Sequence, residues 1–301
     1  MVETTSAPAV STPDAKLSQR AMAALGKLPP FSPILNKLLA SLAGEDVSFA
    51  KLGDLIEKDA VVAGNIMHLV NSALYARRAT ITSVRHALAL LGMDKVRNTL
   101  LGMSISRMWS QVKTPPIWSM ARFNRHSASV AVLSDQIASR VLSDYPEGAF
   151  VGGLLHDLGR LLIALGLPEE FTHLIKLHEQ SGRTWTECEL ELLGFTHASL
   201  SANALGVWKF PEQVQIAVRD HHNPPAFVAG GAVPLSAIID AANQFINSAG
   251  DSIVAVRAVA GKGAGLEDAG AIAALGIPED KLGKLLIDFK AEHQAMGAFF
   301  K

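Results

Sequence analysis

Cysteine is nearly missing from this chain: Cys188 is the single one in 301 residues. That excludes a disulfide framework and any metal site built on thiolates, and it suits a reducing, cytoplasmic setting. Charge is sparse as well. Charged residues make up 18% of the chain, and 27 basic side chains face 28 acidic ones. A formal net charge of −1 supplies no global field to draw in nucleic acid or an anionic membrane. The balance is locally uneven, with a net of +5 between Arg20 and Arg107 and −6 elsewhere. That excess is too small to make nucleic acid an expected partner, and no groove-reading motif accompanies it. Long hydrophobic runs are absent too. The start lacks the basic and apolar regions of a signal peptide. The uncharged stretches 192–208 and 221–239 contain polar residues, glycine or proline, so no membrane span of about 20 apolar residues is expected.

Hydrophobic residues form 49% of the chain, enough for a large core. Residues 1–15 are rich in Ser, Thr, Pro and Ala and read as a disordered tail. Beyond them the apolar spacing is helical and strict alternation is rare, so the fold class is all-α. Ser32-Pro33, Ser48, Asp59, Ser83 and Asp94 open helices in the first half; Gly44 and Gly92 close two of them, and the third runs to Ser72. Pro115-Pro116 marks a boundary between an N-terminal lobe, 16–116, and a second lobe, 117–301. The second lobe carries helices near 117–142, 148–165, 168–181, 184–193, 196–208, 211–222 and 233–248. A glycine-rich break follows at 261–265, then a last helix near Pro278 with Leu282, Leu285 and Leu286 as its stripe.

Ten histidines stand against the one cysteine, so a metal site here must use imidazole and carboxylate. His156-Asp157 sits in a leucine-rich helix where both side chains can border one cavity. An isolated His-Asp pair is more often a simple hydrogen-bonded pair than a metal site. The other candidates also have bland readings. His126 can be an ordinary core histidine, and His221 and His222 can cap a helix C-terminus. His197 lies near a helix start. His68, His86, His173, His178 and His293 have no partner at a telling spacing and read as structural.

The order His126, His156-Asp157, His197, His221-His222 resembles the HD superfamily of metal-dependent phosphohydrolases. More specifically, the chain resembles HDOD domains, relatives of the HD and HD-GYP families in bacterial signalling proteins. The first half contributes Leu28-Pro29-Pro30, Ile56-Glu57-Lys58-Asp59, Asn71-Ser72-Ala73-Leu74-Tyr75 and the run from Ile81 to Gly92. The resemblance covers roughly residues 20–290. It implies a two-lobed helical domain with an HD-like bundle in the second lobe. It also implies a divalent-metal site (Mn, Fe, Zn or Mg) with His126, His156 and Asp157 on one ion. His197, His221 and His222 match the ligands of a second. The late aspartate of the family falls on Asn243, whose carbonyl oxygen can ligate with less charge; Asp240, one turn earlier, is the alternative. Arg160 replaces a phosphate-contacting lysine, Arg122 replaces a glutamate, and the GYP segment is absent after His222. These departures favour a regulatory signal-transduction module without turnover, with signalling proteins as partners and a nucleotide as a possible ligand. The alternative is a phosphohydrolase acting on a nucleotide or cyclic dinucleotide. In it Asp157 bridges two ions and Arg160 steadies the phosphate.

Overall fold

A computed structural model describes residues 15–42, 49–71, 81–228, 230–254 and 269–296. Residues 1–14 of the expected tail, Gly44, Ser48, Ser72 and most of the Asn71–Tyr75 motif, and the glycine-rich break at 261–265, lie outside the described residues, while Ala15 is helical. Among those residues there is no strand, only an isolated bridge between Ser143 and Val233.

The first helices form where local chemistry starts and stops them. α1 spans Ala15–Ala23, and α2 spans Pro33–Leu42, where the Ser32 hydroxyl accepts from the Leu35 N–H at 3.3 Å. α3 is Phe49–Glu57. α4 is Ala60–Val70, with Asp59 accepting from the N–H groups of Val61 and Val62. α5, Val84–Leu91, is capped by Ser83 and ends at Gly92. Gly92 has φ of +80°, a conformation that suits glycine, and it lets α6, Met93–Trp109, follow at once. α6 therefore starts one residue before Asp94, because the glycine rather than an aspartate cap sets the turn.

α6 is buried on nearly every side, including Arg97, Asn98, Thr99 and Ser106. Such a helix has no apolar stripe and sits at the centre of a packed unit. One hydrophobic cluster runs continuously from Ala21 through Leu100, Trp118 and Phe150 to Ile253. It crosses Pro115-Pro116, which occupies the helix-free stretch between α6 and α7.

α7, Met120–Ala138, starts at the Ser119 cap and carries His126 on its buried face. It is shorter than the expected 117–142, and Ile117 is exposed. α8, Ala149–Leu155, packs so closely on α7 that a Cβ at Gly153 would stand 2.9 Å from Val130 O. α9 is Leu158–Gly166. The expected continuous helix at 148–165 is thus interrupted at His156-Asp157, where Asp157 adopts φ −102° and ψ 13°. The run Pro146–Gly166 has the length and apolarity of a membrane span, yet its most apolar 18-residue window is buried inside the protein.

α10 is Pro168–Ser181 and α11 is Trp185–Leu193, opened by a Thr184–Glu187 capping box. α12, His197–Val207, opens with a second box, Thr196–Ser199. α13, Glu212–Arg219, ends before His221. α14, Leu235–Ser248, α15, Gly270–Ala273, and α16, Glu279–Met296, complete the fold. A second apolar cluster joins α14 and α16 to α7, with Leu133, Ile238, Ile239 and Leu285 fully buried.

Candidate metal centre

The break between α8 and α9 has a packing cause. A Cβ at Gly159 would lie 2.1 Å from the backbone oxygen of His197, so α9 can touch the start of α12 only with glycine there. The Ser201 hydroxyl accepts from the Gly159 N–H at 2.7 Å and fixes the contact. His156 and Asp157 occupy the turn this docking creates, and both are buried.

Five histidines surround Asp157, and four of them share one arrangement. His126 Nδ1 meets the Asp251 carbonyl at 2.7 Å. His156 Nδ1 meets the Gly153 carbonyl at 2.8 Å. His221 Nδ1 meets the Val218 carbonyl at 2.7 Å. His197 Nδ1 meets the Glu189 carboxylate at 2.7 Å. A carbonyl or carboxylate oxygen accepts only, so Nδ1 carries the proton and Nε2 keeps its lone pair for the interior. Of the two histidines expected to cap a helix, His221 does so, satisfying a terminal carbonyl of α13 with one ring nitrogen, and His156 does the same at the end of α8. The other nitrogen remains free: the Nε2 atoms of His126, His156 and His221 are buried with no hydrogen-bond partner.

Those nitrogens gather in two sets that share Asp157. His126, His156 and Asp157 form one, and Asp157, His197, His221 and His222 the other; within each set the donor atoms lie within 4.8 Å of one another. Asp157 Oδ2 is 3.3 Å from His156 Nε2 and 3.7 Å from His126 Nε2. Asp157 Oδ1 is 2.9 Å from His197 Nε2, which is 3.0 Å from His222 Nε2. Ligand atoms about 2.1 Å from a common ion stand roughly 3.0–3.4 Å apart in octahedral or tetrahedral arrangements. The separations to Asp157 and His222 are therefore close to ligand edges. The donor set of imidazole nitrogens and a carboxylate fits a borderline divalent metal, and this cluster, buried except at the exposed His222, can hold one.

Electrostatics support neutral imidazoles around a charged carboxylate. Burial lowers the His126 pKa to about 4, with His156 adding to the effect. Burial and the adjacent histidines hold His221 well below the usual range and lower His222 to about 3. Burial disfavours the charged form of Asp157, but Arg160, His156 and His197 hold its pKa well below the usual carboxylate value. His197 differs. Burial opposes its protonation, yet Glu189 prevails and raises its pKa. With Nδ1–H committed to Glu189, a neutral His197 turns a lone pair toward Asp157 and His222. Either a second proton or a cation relieves that juxtaposition.

Arg160, one turn into α9, donates Nε–H to Asp157 Oδ1 at 3.1 Å. Its guanidinium lies 5.1 Å from the centre of the Trp185 ring, and His178 stacks on that ring at 4.4 Å. Asp157, Arg160, Trp185, Asn247 and residues 252–254 wall a cavity of about 280 Å³. A larger cleft of about 620 Å³, between α2, α4 and α6, contains none of the ligand candidates. Asn243 is buried on α14, and its Oδ1 accepts from Asn247 Nδ2 at 2.7 Å. Asn247 lines the cavity with Asp157, and Asn243 is not among the lining residues. Asp240 accepts from Gln244 along its own helix.

Three residues escaped the sequence reading. Glu189 had a signal: it falls in the apolar stripe Trp185, Cys188, Leu192, Leu193, where an unpaired carboxylate is costly. Trp185 stands in that same stripe and had no signal of its own. Asp251 acts through its backbone carbonyl, which every residue has.

The model of the HDOD domain family matches residues 28–224. The chain belongs to the HDOD family. The match contains every ligand candidate from His126 to His222 and leaves α14 and α16 beyond it. Solved structures share the fold. An HDOD domain protein of unknown function from Geobacter sulfurreducens superposes with a TM-score of 0.71 at 23% identity, covering 95% of this chain and 96% of that one. A Shewanella amazonensis SB2B protein, named as a candidate phosphohydrolase, gives 0.70 at 23% identity over 94% and 98%. At these identities the likeness is one of fold. A Treponema pallidum (strain Nichols) protein, itself named uncharacterized, is 22% identical over 219 residues. That alignment takes in 72% of this HDOD chain and 42% of the Treponema protein, so the chain spans less than half of that relative.

Proposed function

We propose that this chain is a signal-transduction module of the HDOD family that binds two divalent ions through His126, His156, Asp157, His197, His221 and His222, and a phosphorylated ligand beside them. One observation carries this reading: three buried imidazole nitrogens without hydrogen-bond partners surround a carboxylate shared by two ligand sets. Leaving such groups unpaired costs roughly 1–3 kcal/mol each, and bound ions remove that cost. Asn243 acts here as the support of Asn247 rather than as a direct ligand.

The ligand class follows from the cavity. Bound ions offer Lewis acidity toward an anionic oxygen. Arg160 presents a charged, planar donor set that suits a phosphate. Asp157 and Trp185 restrict its rotation, so it needs little reorganisation to meet an anion. Asn247 and Ser252 add neutral polar groups to the wall. Signalling proteins are the partners that read the resulting state.

Turnover of the ligand is a second reading, favoured by the position of Asp157 in both sets and of Arg160 at the cavity wall. In it Asp157 would hold both ions and Arg160 would orient the phosphate, both standing in the cavity wall. The test is a screen of phosphomonoesters, nucleotides and cyclic dinucleotides for binding and hydrolysis by metal-loaded protein, with Arg160→Ala alongside. Saturable binding weakened at least 10-fold by Arg160→Ala is expected. Binding without product supports the regulatory module; product formation abolished by Asp157→Ala supports the hydrolase. No binding of any phosphorylated compound would contradict both.

A further inference from the structure

The ring of His126 is oriented by a loop that α7 holds directly and that α16, a helix outside the family match, reaches through Ser129. Residues 249–254 follow α14, turning at Gly250, where φ is +81°. Asp251 in this loop accepts from His126 Nδ1 through its carbonyl. Its side chain is held from α7, where Arg125 Nε donates to Oδ1 at 2.5 Å. Ser129, one turn further along α7, lies 3.4 Å from Asp251 Oδ2. His293 of α16 places its Nε2 2.8 Å from the Ser129 hydroxyl. If His293 donates, the single hydroxyl proton goes to the Arg125 carbonyl at 2.8 Å or to Asp251. α16 is fastened nearby by the ion pairs Lys95–Glu292 and Arg140–Asp288 and by Gln136–Glu292.

We infer that Ser129, Asp251 and His293 are positioning residues for the His126 ion: α16 holds the 249–254 loop, and the loop fixes the His126 tautomer with Nε2 turned to the metal. The inference rests on the metal reading above. Outer partners of this kind orient ligating histidines, and losing one typically costs about 10–100-fold in metal affinity. The other ion, on His197, His221 and His222, takes its support from Glu189 and Val218 and does not depend on α16. The arrangement also couples occupancy to docking of α16, because residues 252–254 of the same loop wall the cavity.

The experiment compares full-length wild type, Ser129→Ala, His293→Phe and His293→Gln in two ways. Nitrogen-15 NMR of the imidazoles reads the His126 tautomer in metal-free protein, and competition with a chromophoric chelator reads zinc affinity at each site. Wild type and His293→Gln, which keeps a donor, should hold His126 with its proton on Nδ1. His293→Phe and Ser129→Ala should show mixed tautomers and about 10-fold weaker binding of one zinc, with the other unchanged. Unchanged tautomer populations in both of those variants would overturn the inference. Wild type that binds no zinc would overturn the metal reading instead, and the NMR comparison would still decide the role of α16.

Discussion

Glu189 takes the backbone N–H of His197 at 2.8 Å and its Nδ1 at 2.7 Å. One buried carboxylate thus caps the first turn of α12 and sets the ring that faces Asp157. Its charge raises the His197 pKa against the effect of burial. Replacing it by glutamine keeps the shape and removes the charge. Glu189→Gln should weaken one of two bound ions by about 10–100-fold and leave the other unaffected. Metal titration of the variant with a competing chelator checks this, and equal weakening of both ions would count against the assignment.

Gly159 is the packing counterpart of that electrostatic contact. Any side chain there meets the His197 carbonyl at 2.1 Å, and the obstacle is backbone that cannot rotate aside. Gly159→Ala should therefore destabilise by at least the roughly 1–3 kcal/mol that overpacking commonly costs. Thermal unfolding should show a clear drop in Tm. Gly270→Ala, where a Cβ meets nothing within 4 Å, is the control and should stay near wild type.

Acid should destabilise the metal-free chain well before carboxylates titrate. His126 is lowered by burial to about 4 and His221 lies well below its ordinary value, whereas both titrate near 6.5 when unfolded. Between those values the unfolded state binds more protons, so stability is full above about pH 6.5 and falls as pH drops toward 4. His197, raised by Glu189 although burial opposes it, works in the opposite direction over a higher range. Urea midpoints measured in a chelator from pH 8 to 4 should decline mainly below 6.5. A flat profile across that window would show that these imidazoles are not held neutral.

The order of the clustered histidines and most helix starts were legible in the sequence, because both reside in local chemistry. Asp59, Ser83 and the Thr184 and Thr196 caps announce themselves by side-chain type, and each stands where a helix begins. The interruption at His156-Asp157 was not legible. No proline or turn dipeptide marks it, and Gly159 reads as a tolerated helical glycine until α12 is packed against it. His221 and His222 lie just past α13 rather than in it, since that helix stops at Arg219. His156 and His221 show why a bland reading does not exclude a functional one. Each ring caps a carbonyl with Nδ1 and leaves Nε2 free, and a sequence does not show two jobs on one ring. Asp251 had no signal, because its contribution to His126 is a backbone oxygen.

In the proposed centre six side chains hold two ions through a shared Asp157. Its most direct test is elemental analysis of the purified chain after reconstitution with manganese, iron or zinc, alongside His126→Ala, His221→Ala and Asp157→Ala. Two ions are expected per wild-type chain, one in each histidine variant and none held tightly in Asp157→Ala. A reconstituted wild-type chain that is folded yet holds no metal would contradict it.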